Sequence, residues 1–240
     1  ALLITADPDL IVIWTATAAL GVGAAARLLL PPDPVHEGGE RPGRGDRLRG
    51  ISDLLRNRPF VLAVVATGLI QATHAFYYAF SAILWTTQGL PKATIGLLWA
   101  AGVAVEVAFM WFLEPWRRRV GPELLVIIGG VAAVARWTAF AFSPPLWLLF
   151  PLQGLHALSF AAVFMGSLQL IERTAPARSA SAAQTISSAF SGGLVIGLAT
   201  LASGPLYDAV GARGYLAMAA LALGGLAFAW RLARTARRAA

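Results

Sequence analysis

The chain contains no cysteine, which removes disulfides and thiolate metal sites from consideration. Lys92 is its single lysine, so no lysine lies inside an apolar stretch where a retinal-type Schiff base would form. Charged residues make up only 13% of the 240 positions, against roughly 25% in soluble domains. The sequence shows no paired carboxylates, no Ser/His pair in a catalytic motif and no metal-ligand cluster, so enzyme chemistry has little to stand on. A cofactor is not expected. His36, Glu37 and Glu40 have a superficial zinc-motif spacing, but two glycines and nearby prolines forbid the helix it requires.

What the chain does have is apolar residues, at 58%, and a mean hydropathy of +0.68. Its formal charge of +7 and pI near 11.0 would, in a soluble domain, point to nucleic acid. The distribution excludes that partner. Windows 124–142 and 183–201 hold at most one charge each, and the basic residues gather between such windows. That is the pattern of a multi-pass protein whose solvent is the lipid bilayer.

Seven spanning segments are expected, near 10–30, 60–85, 94–114, 123–142, 147–171, 182–204 and 214–231. They imply an all-α integral membrane fold in three parts: 1–30, an outer stub and first helix; 31–58, a linker rich in Pro, Gly and charge; and 59–240, a six-helix bundle with a basic tail. ISDLLRNR, at the end of the linker, reads as a short amphipathic helix leading to Pro59, a residue suited to a helix's first turn. Lys and Arg outside the spans divide 16 to 2 between the two sides. The linker and C-terminus are therefore expected in the cytoplasm, with the protein in the inner membrane. Trp85, Trp116, Trp147 and Trp230 fall near span ends, as interfacial anchors would. No signal peptide is visible, and the chain reads as part of a longer protein.

One stretch concentrates the chemistry. Residues 69–85 read LIQATHAFYYAFSAILW, and Gln71, His74, Tyr78 and Ser81 recur at steps of 3, 4 and 3. Those steps place all four on one helix face. A polar stripe has no use against lipid, so it should look onto other helices or a watery cavity. An internal repeat appears beside it. Gln71-Ala-Thr-His74-Ala75 matches Gln153-Gly-Leu-His156-Ala157 three spans later, and Pro115-WRRRV-Gly121 matches Pro205-LYDAV-Gly211. Two units of three helices must have opposite topology, the inverted repeat that transporters use.

These features resemble the C-terminal half of a major facilitator superfamily transporter, over about residues 50–231. The first span would then be helix six of twelve, and the N-terminal half would be a partner of this one. LIQATHAFYYAFSAILW, GVAVEV, ARW and LQGLHALSF resemble more narrowly the 3-phenylpropionic acid permease branch, similar to lactose-type proton symporters. The resemblance implies proton-coupled symport of a small organic solute by alternating access. An aromatic acid is the first expectation, with a sugar or nucleoside as the alternative.

Glu106 and Arg136 lie at similar depth on consecutive spans, and a salt bridge between them is expected. A charge at the bilayer centre costs about 2.5–3.5 kcal/mol on the insertion scale, so each needs a partner. The bridge could simply pin helices, or could open when substrate or proton arrives. In lactose-type symporters the helix carrying His156 resembles Lys-x-x-His-x-x-Glu. Here Gln153, His156 and Ser159 occupy those places, so the histidine matches and both flanking charges are gone. Proton coupling would then fall to Glu106, His156 or His74. Substrate binding is expected from Gln71, His74, Tyr78, Arg136, Gln153 and His156, with Arg136 able to grip a carboxylate if Glu106 were protonated. Tyr77, Phe80 and Phe160 would suit a ring, although aromatics fill any membrane core.

Arg117, Arg118 and Arg119 read as topology determinants, and Gly193-x-x-x-Gly197 as a close-packing face. A seven-helix sensor is the competing class, but it leaves the repeat unexplained.

Overall fold

The computed structural model describes residues 8–29, 44–176 and 179–239, and among them there is no β-strand. Residues 1–43 form one unit, whose described part is a single helix, α1 (Pro8–Leu29). Its Ile13, Leu20, Val22 and Leu28 are exposed. Residues 31–43 of the expected linker, including His36, Glu37 and Glu40, lie outside the described residues.

The second unit, residues 44–240, begins with α2 (Arg44–Arg56), the amphipathic helix expected before Pro59. Leu54 is buried against Phe60, Val64, Ile171 and Ala183, whereas its neighbour Leu55 is exposed. Asn57 then starts α3 (Arg58–Ala72): its Oδ1 accepts from the Phe60 N–H, and Pro59 occupies the first turn. The helices that follow are α4 (His74–Thr87), α5 (Lys92–Phe112), the short α6 (Glu114–Val120) and α7 (Pro122–Phe140). After a turn come α8 (Leu146–His156), a π-helical segment (Ala157–Ala162) and α9 (Val163–Thr174). The chain closes with α10 (Ala180–Ser188), a second π-helical segment (Ala189–Val195), α11 (Ile196–Val210) and α12 (Gly214–Ala239).

Among the described residues, five stretches are long and apolar enough to cross a membrane, against seven expected segments: Arg58–Thr87, Lys92–Phe112, Pro122–Phe140, Leu146–Thr174 and Ala180–Ala236. The last is 57 residues long and takes in both the sixth and the seventh expected segments. A 3-10 turn, Gly211–Arg213, interrupts it. Gly211 and its repeat counterpart Gly121 both follow a helix end at positive φ, +55° and +79°, where a side chain would be strained. The preceding prolines differ. Pro115 starts the separate helix α6, whereas Pro205 lies inside α11.

Tight packing comes from glycines that the sequence did not single out. A Cβ on Gly129 of α7 would sit 2.3 Å from Val163 Cγ2 and 2.6 Å from the Leu158 carbonyl oxygen. Gly225 of α12 also lies close to α3, where a Cβ would be 2.7 Å from Ile70 Cγ1. Gly193 and Gly197, expected to pack helices together, instead face open space. They lie in the second π-helical segment and the start of α11, whose Leu194, Leu198 and Leu201 are also exposed.

One end of the bundle is tied by polar contacts. Asn57 Nδ2 donates to the Thr174 carbonyl at 2.7 Å, joining the start of α3 to the end of α9. Arg173 meets Glu123 at 3.6 Å, joining α9 to α7. The arginine triplet divides its work. Arg117 is buried and donates to the Met110 carbonyl at the end of α5, 2.7 Å away, while Arg118 pairs with Glu114 one turn back and holds that carboxyl below its ordinary range. Trp116, Trp147 and Trp230 are exposed as anchors should be, but Trp85 is buried against Tyr77 and Phe140.

Candidate functional site

The site is built at the break between α3 and α4. Thr73 turns its hydroxyl back to the Ile70 carbonyl at 2.6 Å and accepts from Trp137 Nε1 at 2.7 Å. This pins the break to α7 and starts α4 at His74. The second Gln-x-x-His-Ala copy also meets an irregular backbone, because the first π-helical segment begins at Ala157, directly after His156. Such segments occur frequently at functional sites.

Arg136 is fully buried at the centre. Its Nη2 donates to Gln153 Oε1 at 2.6 Å and its Nη1 to His156 Nδ1 at 3.0 Å. The guanidinium also lies over the rings of Trp137 (4.5 Å), Tyr77 (4.7 Å) and Phe140 (5.4 Å). Gln153 completes its amide by donating from Nε2 to the Tyr77 hydroxyl at 2.8 Å. Across the imidazole, His156 Nε2 stands 3.3 Å from Glu106 Oε2.

The expected direct bridge between Glu106 and Arg136 does not form; His156 stands between them. Gln153 and His156, one turn apart on α8, take both η nitrogens of the guanidinium, so the carboxylate on α5 meets the far side of the imidazole. The chemistry fixes the tautomer. Arginine can only donate, so His156 Nδ1 must accept, and the ring proton sits on Nε2 facing Glu106.

His74 adopts the other tautomer. Its Nδ1–H donates to the Gln71 carbonyl at 3.1 Å, which leaves Nε2 to accept from the Ser159 hydroxyl at 3.4 Å. The two histidine rings meet edge to face, with centroids 5.3 Å apart, and neither is exposed to the outside of the bundle. They pack against each other inside the bundle. Gln71 reaches from Nε2 to the Phe160 carbonyl at 3.4 Å, while its Oε1 is buried with no donor. Tyr78 lies beside His74, with ring centroids 5.9 Å apart, and remains 42% exposed. Ser81, the last member of the stripe, is buried with its hydroxyl unpartnered.

Gln71, His74, Tyr78, Glu106, Arg136, Gln153 and His156 thus gather in one cluster. Thr73, Trp137, Ser159 and Trp99, which stacks on Tyr77 at 4.8 Å, also belong to it. Tyr77, expected from the sequence only as a ring for the solute, serves here through its hydroxyl; it lies three residues after His74 and matches Ser159 in the repeat. The Thr73–Trp137 contact leaves no sequence signal.

A buried arginine held by an amide and an imidazole, inside a bundle of membrane-length helices, calls for comparison with known membrane proteins. The MFS_1 like family is matched over residues 15–217. The chain belongs to the MFS_1 like family. Over 212 residues it is 30% identical to the "Probable 3-phenylpropionic acid transporter" of Escherichia coli (strain K12), covering 86% of this chain and 54% of that protein. The "Maltose permease" of Geobacillus stearothermophilus is 29% identical over 198 residues, 82% of this chain and 49% of the permease. The "Uncharacterized transporter YwbF" of Bacillus subtilis (strain 168) is 22% identical over 162 residues, 68% and 41% of the two chains. The chain therefore spans about half the length of the curated relatives it matches. No solved structure matches it. As a member of the MFS_1 like family it is a transporter sequence, not an enzyme.

Proposed function

We propose that the chain is the C-terminal half of a proton-coupled secondary carrier for a small organic solute, working by alternating access in the cytoplasmic membrane. In this reading seven segments span the bilayer, the linker and C-terminus face the cytoplasm, and residues 59–240 form two inverted three-helix units. The reciprocal contacts between the two repeat copies, each taken with the two residues that follow its Gln-x-x-His-Ala segment, support those units. Gln153 of the second bonds Tyr77 of the first, and Ser159 of the second bonds His74 of the first. An N-terminal bundle would stand opposite the exposed Tyr78 and Phe164.

One observation carries the coupling proposal: the His156 ring is shared between Arg136 and Glu106. With Glu106 ionised, the cluster is neutral overall and every hydrogen bond runs in one direction, from Arg136 to Nδ1 and from Nε2–H to the carboxylate. A proton on Glu106 weakens the last contact, since a neutral carboxyl oxygen is a poorer acceptor of Nε2–H than a carboxylate. It also removes the negative charge that balances Arg136 through the ring. Protonation and a fully compensated Arg136–His156–Glu106 chain therefore oppose one another. The contact between α7 and α8 loosens when the proton arrives and re-forms when it leaves, the two-state behaviour that alternating access needs.

The test is Glu106→Gln in the complete reading frame that carries this chain. It should lose accumulation of solute against a gradient yet keep exchange of solute across the membrane. Protonophore-sensitive accumulation at the parental level would remove Glu106 from the coupling role. The E. coli relative's name points to an aromatic acid and the Geobacillus relative's to a sugar.

A further inference from the structure

We infer that the corner where α5 turns into α6 is a binding site for an anionic phospholipid. Its phosphodiester is held by Arg119 and by the field of the buried Arg117, and its carbon chains lie along a cleft walled by Val107, Met110 and Trp111. The inference goes beyond the carrier reading and needs only the membrane setting of the chain.

Val107, Met110, Trp111 and Glu114 stand at steps of 3, 1 and 3, so they fall on one stripe that runs from α5 onto α6. Together they line a surface cleft of about 380 Å³. Three of its four residues are apolar, and the carboxylate stands at the end nearest the arginines. Trp111 is 78% exposed, and Phe112 and Trp116 are exposed as well. Large rings at the end of a membrane-length helix suit the headgroup level, where an amphipathic indole keeps one edge in lipid and the other in water.

The basic residues of α6 follow at once, and their charge is only partly used. Arg118 binds Glu114 and Arg173 meets Glu123, so both carboxylates flanking α6 are already matched. Arg117 and Arg119 have no ion-pair partner among the described residues. Arg119 is exposed. Arg117 is only 6% exposed, and its Nη2 donates to the carbonyl of Met110, one of the residues that line the cleft. Its guanidinium also lies 5.8 Å from the centre of the Phe109 ring, and its Nε is buried with no acceptor. A buried cation that meets only a carbonyl and a ring is short of negative charge. An anion at the mouth of the cleft supplies it.

The cleft selects a lipid over a small anion. Inorganic phosphate would answer the arginines and leave the apolar wall of Val107, Met110 and Trp111 unused, whereas a phospholipid fills both parts. A choline headgroup is the poorer match, because its ammonium would stand among arginines while the nearby Glu114 is already taken by Arg118. In the orientation proposed above, the corner meets the cytoplasmic leaflet, where anionic lipids attract basic segments.

Quenching of tryptophan fluorescence by brominated lipid tests the site. The complete protein that carries this chain is placed in phosphatidylcholine vesicles with a rising fraction of brominated phosphatidylglycerol, or of brominated phosphatidylcholine. Phosphatidylglycerol should quench one component at an about tenfold lower fraction than phosphatidylcholine, and Trp111→Phe should remove that component. Arg119→Gln, at an exposed position that leaves the packing alone, should cut the preference about fivefold, as loss of one basic residue near a charged surface does. Arg117→Gln should lower it too in protein that keeps its fold. Inorganic phosphate, added at constant ionic strength, should leave the quenching in place. Equal quenching by the two lipids, or a preference untouched by Arg119→Gln, overturns the inference. Displacement by inorganic phosphate overturns it in favour of a small-anion site. Quenching of Trp111 by neither lipid overturns it as well, since another part of the protein then covers the corner. The signal is read without solute, so its failure leaves the carrier reading standing, and a failure of transport leaves the lipid site standing.

Discussion

Replacing Arg136 with alanine is the perturbation whose cost can be worked most fully from the structure. The substitution removes the donors to Gln153 Oε1 and His156 Nδ1 and empties the space beneath Tyr77, Trp137 and Phe140. Each acceptor left buried without a donor costs about 1–3 kcal/mol. Glu106 would also lose the charge that balances it through His156, and breaking a buried pair from one side costs about 3–5 kcal/mol. These contributions overlap, because the same two bonds carry the charge compensation. The expected loss is therefore about 3–5 kcal/mol rather than their sum. Arg136→Lys keeps the charge but cannot span both acceptors, so about half that loss is expected. Reversible unfolding of the purified carrier in mild detergent, followed by tryptophan fluorescence, would read both variants, since Trp137 packs directly on the guanidinium. A cycle of Arg136→Ala, His156→Ala and the double variant should show an interaction of about 1–3 kcal/mol. If Arg136→Ala unfolds within about 1 kcal/mol of the parent, the guanidinium does not hold α7 to α8 and the reasoning fails.

Other expectations follow from the packing and the end ties. Gly129→Ala would force a methyl to within 2.3 Å of Val163 and 2.6 Å of a carbonyl, and should destabilise by about 1–3 kcal/mol or more. Gly193→Ala faces open space and should stay within about 0.5 kcal/mol in the same melt; a large loss there would show that this face is packed. Asn57→Ala gives up both the cap of α3 and the bond to the Thr174 carbonyl, an expected loss of about 2 kcal/mol by the same assay. Limited proteolysis between α2 and α3 should quicken in that variant, and an unchanged rate would argue against the tie.

Much of this arrangement is legible in the chain, and where it is not the reasons are physical. Polar residues repeating at helical steps in an apolar run have few destinations besides the bundle interior, so Gln71, His74 and Ser81 could be placed inward without a structure. Depth along a span is also readable, which brings Glu106, Arg136 and His156 together. Partner choice is not. Arg136 had three acceptors within reach, and the order Arg136–His156–Glu106 follows from helix rotation about the long axis, which spacing does not encode. The glycines show the same limit: Gly193 and Gly197 have the spacing of a packing motif, yet close approach depends on which face meets a neighbour. Trp85 reads as an interfacial anchor by position, and it is buried because Tyr77 and Phe140 offer it a ring-lined slot. Five membrane-length stretches stand against seven expected segments for two reasons: the last two run together through Pro205 and part only at Gly211, and the first contributes only the shorter apolar helix Ala16–Ala25 among the described residues.

The most direct test of a proton-coupled carrier is uptake by cells expressing the complete reading frame, run with and without a protonophore. A labelled solute of the kind named for either relative, 3-phenylpropionate or maltose, should accumulate against its gradient, the protonophore should abolish that accumulation, and Glu106→Gln should abolish it alone. Accumulation that survives both the protonophore and the Glu106 substitution would contradict the shared-imidazole mechanism.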